Sequence, residues 1–190
     1  MAREIELKAR INNPGEITEK LAQAVFRWEF EKEDAYWRPD EPYETPGTPA
    51  YGVRVRKEKT AGRNGELNQT VYVTWKEKEV RNGVEFNNEK EFEVSPAPVF
   101  EEFLAQLGFR VKMTKHKKGK AYLWNGINTE VTEVKGLGWF VELEIILNGN
   151  DEAREREARE KLLDSLDLLG INRDTIESRS YSALLAERSI

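Results

Sequence analysis

The chain has no cysteine among its 190 residues, which removes disulfides, thiolate metal sites and cysteine nucleophiles at once. Its single histidine, His116, argues with the missing cysteine against a structural zinc site. No window of about 18 apolar residues is present to cross a membrane as a helix. Charges at Arg3, Glu4, Glu6 and Lys8 leave the start without the apolar region of a signal peptide, so a soluble cytoplasmic protein is expected. Positive charge is not in excess either: 35 acidic residues against 30 basic ones give a net charge of -5 and no general attraction to nucleic acid. The length suits one domain over residues 1–190 with a substantial core.

What is present is charge sorted by position. In EIELKA, Glu4, Glu6 and Lys8 alternate with Ile5, Leu7 and Ala9, so a β-strand here has one charged face and one apolar face. Glu89, Glu91 and Glu93 repeat the pattern, as do Glu142 and Glu144, while Arg54/Arg56 and Lys115/Lys117 form the basic counterpart.

The coarse order is a strand over 3–11, a helix from Pro14 to about Phe30, a short strand around Asp34 to Trp37, and a loop through the prolines from Pro39 to Pro49. Strands follow in YGVRVRKEK and QTVYVTWKEKE, joined by an Asn64-Gly65 hairpin, then VEFNNEKEFEVS after an Asn82-Gly83 turn. PAPVFEEFLAQLGF reads as a helix, FRVKMTKHKKG and KAYLWNGINTEVTEV as a strand pair, and GLG at 136–138 as a tight turn before WFVELEIIL. A helix capped by Asp151 and stopped at Gly170 precedes a short closing helix.

Carboxylates crowded on a concave face repel one another unless cations intervene. Glutamate oxygens are hard ligands suited to Mg²⁺ or Mn²⁺, and arginine and lysine suit the phosphoryl oxygens that bridge such ions. A closed antiparallel barrel with its charge inside is the natural container. Ile5, Leu7, Val53, Val55, Phe92, Val94, Val141, Leu143 and Ile145 then face outward, under the helices. On a regular strand His116 faces solvent, opposite Lys115 and Lys117.

These segments also resemble a known family. EIELK, the basic pair in YGVRVR, the lysine of VTWK, the acids of NEKEFEV, KMTKHKK, VKGLGWFVELE and SYSALL run in order from residue 3 to about 186, and the set is similar to the CYTH family. That family groups class IV adenylyl cyclases with thiamine and inorganic triphosphatases, and its hallmark is an N-terminal Glu-x-Glu-x-Lys strand. The resemblance implies an α+β fold built on a closed eight-stranded antiparallel β-barrel, the triphosphate tunnel, with helices packed outside. It implies two Mg²⁺ or Mn²⁺ ions on Glu4, Glu6, Glu142 and Glu144. Glu89, Glu91 and Lys76 would be catalytic, and Lys8, Arg54, Arg56, Lys76, Lys115 and Lys117 a phosphate clamp. Asn87 and Thr132 depart from the family pattern, in which arginine and aspartate are frequent.

The partners implied are a nucleoside triphosphate, tripolyphosphate or thiamine triphosphate, with no nucleic acid or membrane and a homodimer left open. Length, the proline-rich stretch and GLGWFVELE resemble members labelled class IV adenylyl cyclase. The first expected activity is therefore conversion of ATP to cyclic AMP and pyrophosphate. Hydrolysis of the terminal phosphate by an inorganic or thiamine triphosphatase is the alternative, and a non-catalytic triphosphate-binding module the third reading.

Overall fold

Strand β1, Ala2–Ile11, sets the plan of the molecule: Ile5, Leu7 and Ala9 are fully buried on one face, while Glu4, Glu6 and Lys8 share the other. The computed structural model describes residues 2–40, 52–149 and 151–188, with the backbone alone for residue 2 and for residues 76–78. The expected proline-rich loop, from residue 41 onward, lies outside the described residues. After β1 come α1 (Pro14–Lys20), β2 (Val25–Pro39), β3 (Val53–Ala61), β4 (Leu67–Arg81), β5 (Val84–Glu93), α2 (Ala97–Gln106), β6 (Phe109–Trp124), β7 (Ile127–Val134), β8 (Gly138–Asn148), α3 (Glu152–Leu168) and α4 (Tyr181–Arg188). The strands close into an eight-stranded antiparallel barrel in the order β1-β5-β4-β3-β2-β6-β7-β8, as expected from the alternating charges and the family resemblance. Among the described residues no helix is long and apolar enough to cross a membrane.

The usual arrangement of a core is inverted. Ala158, Leu162, Leu166 and Leu169 of α3 and its C-cap, with Ile17 and Leu21 of the α1 region, pack on the outward Ile5, Leu7, Val131, Val141 and Leu143. Each large side chain buried this fully contributes about 1.5–3 kcal/mol. The second layer lies near α2, where Leu104 and Phe100 meet Val55, Val73 and Val94. Phe92, also expected under a helix, stays 56% exposed. Helices α1 and α3 start on side-chain caps: Asn13 accepts from the Glu16 N–H, and Asp151 from those of Ala153 and Arg154.

Two boundaries differ from the sequence reading. The helix expected to reach Phe30 ends at Lys20, and Val25–Pro39 is one strand of 15 residues that absorbs the short strand expected at 34–37. The apolar spacing of Ile17, Leu21, Ala24 and Trp28 imitates a helix. From Val25 onward, however, the backbone is paired to β6, and from Glu29 to Trp37 to β3 as well, and these ladders outweigh a weak helical preference. Likewise β6 runs unbroken through Gly119, and the chain reverses at Asn125-Gly126, whose φ values are 51° and 76°.

Gly119 is where β6 and β7 come closest. A Cβ there would lie 2.2 Å from the Val131 carbonyl oxygen and 2.9 Å from Thr132 Cα, both backbone atoms that cannot swing aside. Gly119→Ala should therefore destabilise by about 1–3 kcal/mol in chemical denaturation. Gly62→Ala, whose added Cβ meets nothing nearer than 3.6 Å, should stay within about 0.5 kcal/mol of the parent. Equal effects of the two substitutions would refute the close approach.

Candidate active site

The inward faces of the strands enclose a cavity of about 860 Å³. Its charge is divided by strand. On the contiguous strands β7, β8, β1 and β5 the lining carries Glu130, Glu142, Glu144, Glu4, Glu6, Glu85, Glu89 and Glu91. On the contiguous strands β3, β2 and β6 it carries Arg54, Arg56, Lys32, Lys115 and Lys117. The tunnel thus has an acidic wall and a basic wall, with Lys8 inserted in the first and Asp34 in the second.

On the acidic wall, strand pairing sets like charges side by side. Glu6 is the register partner of both Glu144 and Glu85, and Glu130 of Glu142. Lysines from the nearby basic strands β2 and β6 answer them. Lys117 donates to Glu130 and Glu142, each at 2.9 Å, and Lys32 donates to Glu130 at 2.6 Å. Lys8 bonds Glu85 on its own wall, and Asn128 donates to Glu144 at 3.1 Å. Burial penalises the charge on Glu130, but Lys117 and Lys32 overcome it and hold the carboxyl far below its ordinary value. Burial also opposes the charge on Lys117, yet Glu130 and Glu142 raise its pKa. For Lys32 burial wins, and its pKa falls.

The basic wall is organised by Asp34, which is 2% exposed. Its carboxylate accepts from Arg56 Nε at 2.7 Å and Nη2 at 3.1 Å, and pairs with Lys115 Nζ at 2.9 Å. Desolvation would raise its pKa, but Lys115 and Arg56 hold it well below the carboxylate range. Nearer the rim, Thr74 donates to Glu91 at 2.7 Å, and Arg54 reaches Thr74 at 3.0 Å, Glu91 at 3.4 Å and Glu89 at 3.8 Å.

Tyr181, at the start of α4, reaches into the cavity. Its hydroxyl donates to Glu142 Oε1 at 2.9 Å, its ring stands edge-on to Phe140, and Lys8 and Lys115 lie 5.6 and 5.4 Å from its centroid. Burial first, and then Glu142 and Glu6, push the phenol well above its ordinary pKa. The tail is led there along β1, through an Ala9–Ile176 bridge and a bond from the Glu177 N–H to the Lys8 carbonyl at 2.9 Å.

The residues expected from the sequence to line one site, Glu4, Glu6, Lys8, Arg54, Arg56, Glu89, Glu91, Lys115, Lys117, Glu142 and Glu144, all line this cavity. The Lys76 side chain lies outside the described residues. Sequence reasoning missed Lys32, Asp34, Glu85 and Glu130. Lys32 fell between the expected helix and the short strand expected from Asp34, and Asp34 stood in that strand without being assigned to the site, although their two-residue spacing in EKEDAY was a readable signal. Thr132 is fully buried and bonds the Lys118 carbonyl at 3.3 Å.

The donor set of the acidic wall fits a divalent cation: the carboxylates of Glu4, Glu6, Glu142 and Glu144 share one cavity, and their oxygens are the hard donors that Mg²⁺ and Mn²⁺ prefer. A different set lies on the outer surface. Glu31, Glu33 and His116 bring one ligand atom each within 4.8 Å of one another, a group able to hold a divalent metal. His116 there lies 2.9 Å from Glu31, on the opposite face from Lys115 and Lys117 as expected, and this bond lowers the Glu31 pKa.

Known proteins share this architecture. PH1819 from Pyrococcus horikoshii OT3 superposes with a TM-score of 0.79 at 29% identity, over 97% of this chain and 99% of that one. The Methanocaldococcus jannaschii protein MJ0240, whose name assigns it provisionally to the adenylate cyclases, is 24% identical over 183 residues, 95% of this chain and 97% of its own. HpAC1 from Hippeastrum, provisionally named an adenylyl cyclase and said to reveal a dominant triphosphatase activity, shares the fold. Its TM-score is 0.64 at 15% identity, over 100% of this chain and 96% of that one. The CYTH domain model matches residues 2–181, nearly the whole described barrel and its helices, and the chain belongs to the CYTH domain family.

Proposed function

We propose that the protein is a divalent-metal-dependent triphosphatase that hydrolyses the terminal phosphate of a triphosphate compound threaded through the barrel. The observation that carries this reading is the two-walled tunnel. A phosphate chain laid on Arg54, Arg56, Lys115 and Lys117 faces, across the cavity, carboxylates paired with like charges. Bound Mg²⁺ or Mn²⁺ would be held by Glu4, Glu6, Glu142 and Glu144 and would neutralise charge between that wall and the phosphoryl oxygens.

The chain's own residues do the rest. Arg56 and Lys115, fixed by Asp34, offer a preorganised fork and a point charge to phosphoryl oxygens. Lys117 and Lys8 can exchange a carboxylate partner for the substrate. Glu89 and Glu91, which share the cavity with Arg54 and Thr74, would orient the attacking water. Hydrolysis is favoured over cyclisation because the charged lining grips a phosphate chain whatever organic group it carries. Cyclisation also needs a nucleoside seated with its 3′ hydroxyl aligned on the α-phosphorus. The Hippeastrum protein supports the same preference, since there a cyclase name accompanies a dominant triphosphatase activity.

Incubation with Mn²⁺ and tripolyphosphate, thiamine triphosphate or ATP, followed by chromatography, should give orthophosphate with the corresponding diphosphate product. Cyclic AMP with pyrophosphate from ATP would overturn the preference in favour of cyclase. Binding of tripolyphosphate without product over hours would favour a binding module. Chelation should abolish turnover and Mg²⁺ or Mn²⁺ restore it. Glu4→Gln and Glu142→Gln should each lower kcat at least a hundredfold while the circular dichroism of the fold is unchanged.

Asp34 gives a pH-dependent test. Because its folded pKa is depressed, its stabilisation is present above the unfolded value near 3.9 and drains away as pH falls through the folded value. Asp34→Asn should cost about 3–5 kcal/mol at pH 7, where Arg56 and Lys115 lose a buried counter-ion. The gap to the parent protein should narrow below about pH 4, as read by urea denaturation at pH 7 and pH 3. A constant gap would show that the carboxylate charge is not the cause.

A further inference from the structure

Asn87 lies on the inward face of β5, two residues from Glu85 and two from Glu89, both of which line the cavity. Its register partner on β1 is Glu4. The side chain is fully buried, and neither Nδ2 nor Oδ1 has a hydrogen-bond partner. Among the described residues, the other buried side-chain atoms without a partner are single nitrogens of Arg3, Trp28, Trp37, Arg54 and Arg159; only Asn87 leaves both a donor and an acceptor unanswered. An unsatisfied buried polar group costs about 1–3 kcal/mol, which a leucine of similar size would not incur. Such an amide wants a partner that donates and one that accepts. Its carboxylate neighbours, when ionised, only accept.

We propose that Asn87 is a cation-side positioning residue of the loaded tunnel. With Glu4 paired to it and Glu85 and Glu89 two residues away, its amide would be completed when the tunnel is loaded, a hydrated divalent cation and its phosphate offering the donor and the acceptor that it lacks. The inference rests on the metal-dependent reading of the tunnel and adds to it a neutral group on the acidic wall, between acids that bind through charge.

The test is Mn²⁺ binding, measured from the free-ion signal in electron paramagnetic resonance for the parent protein, Asn87→Leu and Asn87→Asp, with melting temperatures recorded without metal. Asn87→Leu should weaken Mn²⁺ binding by about tenfold to a hundredfold, the usual effect of losing a group that supports metal ligands. It should melt no lower than the parent without metal, because it removes an unsatisfied amide. Asn87→Asp, nearly the same shape with an added carboxylate, should bind Mn²⁺ at least as tightly as the parent.

Parental Mn²⁺ affinity in Asn87→Leu overturns the role of Asn87 and leaves the metal-dependent reading standing. Failure of the parent protein to bind Mn²⁺ removes that reading as well. A melting temperature several degrees lower for Asn87→Leu without metal would mean that a resident water already completes the amide, and overturns the proposal. If the leucine variant does not fold, Asn87→Asp decides alone, and weaker binding than the parent refutes the inference.

Discussion

Like charges placed opposite one another on a closed sheet are the constraint on which the rest of this structure turns. In an open antiparallel sheet a Glu6–Glu144 pair would splay into water, where the repulsion is slight. Closing the barrel aims both side chains into one cavity, and the same closure aims Lys32 and Lys117, also register partners, into it from the other side. Glu130 then binds both lysines. Each wall is made tolerable by the other, so neither half of the sheet would hold its charges in this arrangement alone.

This explains why the apolar core sits outside. A barrel filled with carboxylates, ammonium and guanidinium groups gains little hydrophobic stabilisation from its interior. The stabilising burial comes from the outer faces of β1, β7 and β8 under α1 and α3, with a smaller cluster near α2. The third cluster, Val134, Leu137, Phe140, Tyr181 and Leu184, is the exception: Val134 and Phe140 alternate onto the inward face with Glu130 and Glu142, and the Tyr181 ring that packs on Phe140 carries the hydroxyl that bonds Glu142.

Much of this was legible from alternation alone. EIELKA, NEKEFEV and FVELE declare which residues share a face, and a one-residue slip would exchange the buried Ile5 and Leu7 with Glu4 and Glu6. The reading failed where two periods coincide. Between Ile17 and Trp28 the spacing serves a helix or a strand, and only pairing to β3 and β6 decides, which is a tertiary fact. The cost of that ambiguity fell on the site, since Lys32 lies in the strand that follows. Glu85 was missed for a different reason: it stands one residue past the start of β5, beside the turn, where alternation has too few members to be recognised.

The division of labour between the walls also says where specificity has to reside. Asp34, Arg56 and Lys115 form one set of ion pairs and Lys32, Lys117, Glu130 and Glu142 a second, each group held by at least one partner on a different strand. On the triphosphatase reading proposed above, such sets would read only charge and the spacing of phosphoryl oxygens. They could not distinguish adenosine from thiamine, because neither brings a charge pattern into the middle of the chain of phosphates. Discrimination must fall to groups at the rim, where Arg54 shares Thr74 and Glu91, and where Trp28, Tyr36 and Trp75 supply aromatic surface to the same cavity. On that reading the buried charges would set the chemistry and the rim the substrate, so that one could change through substitution without disturbing the other.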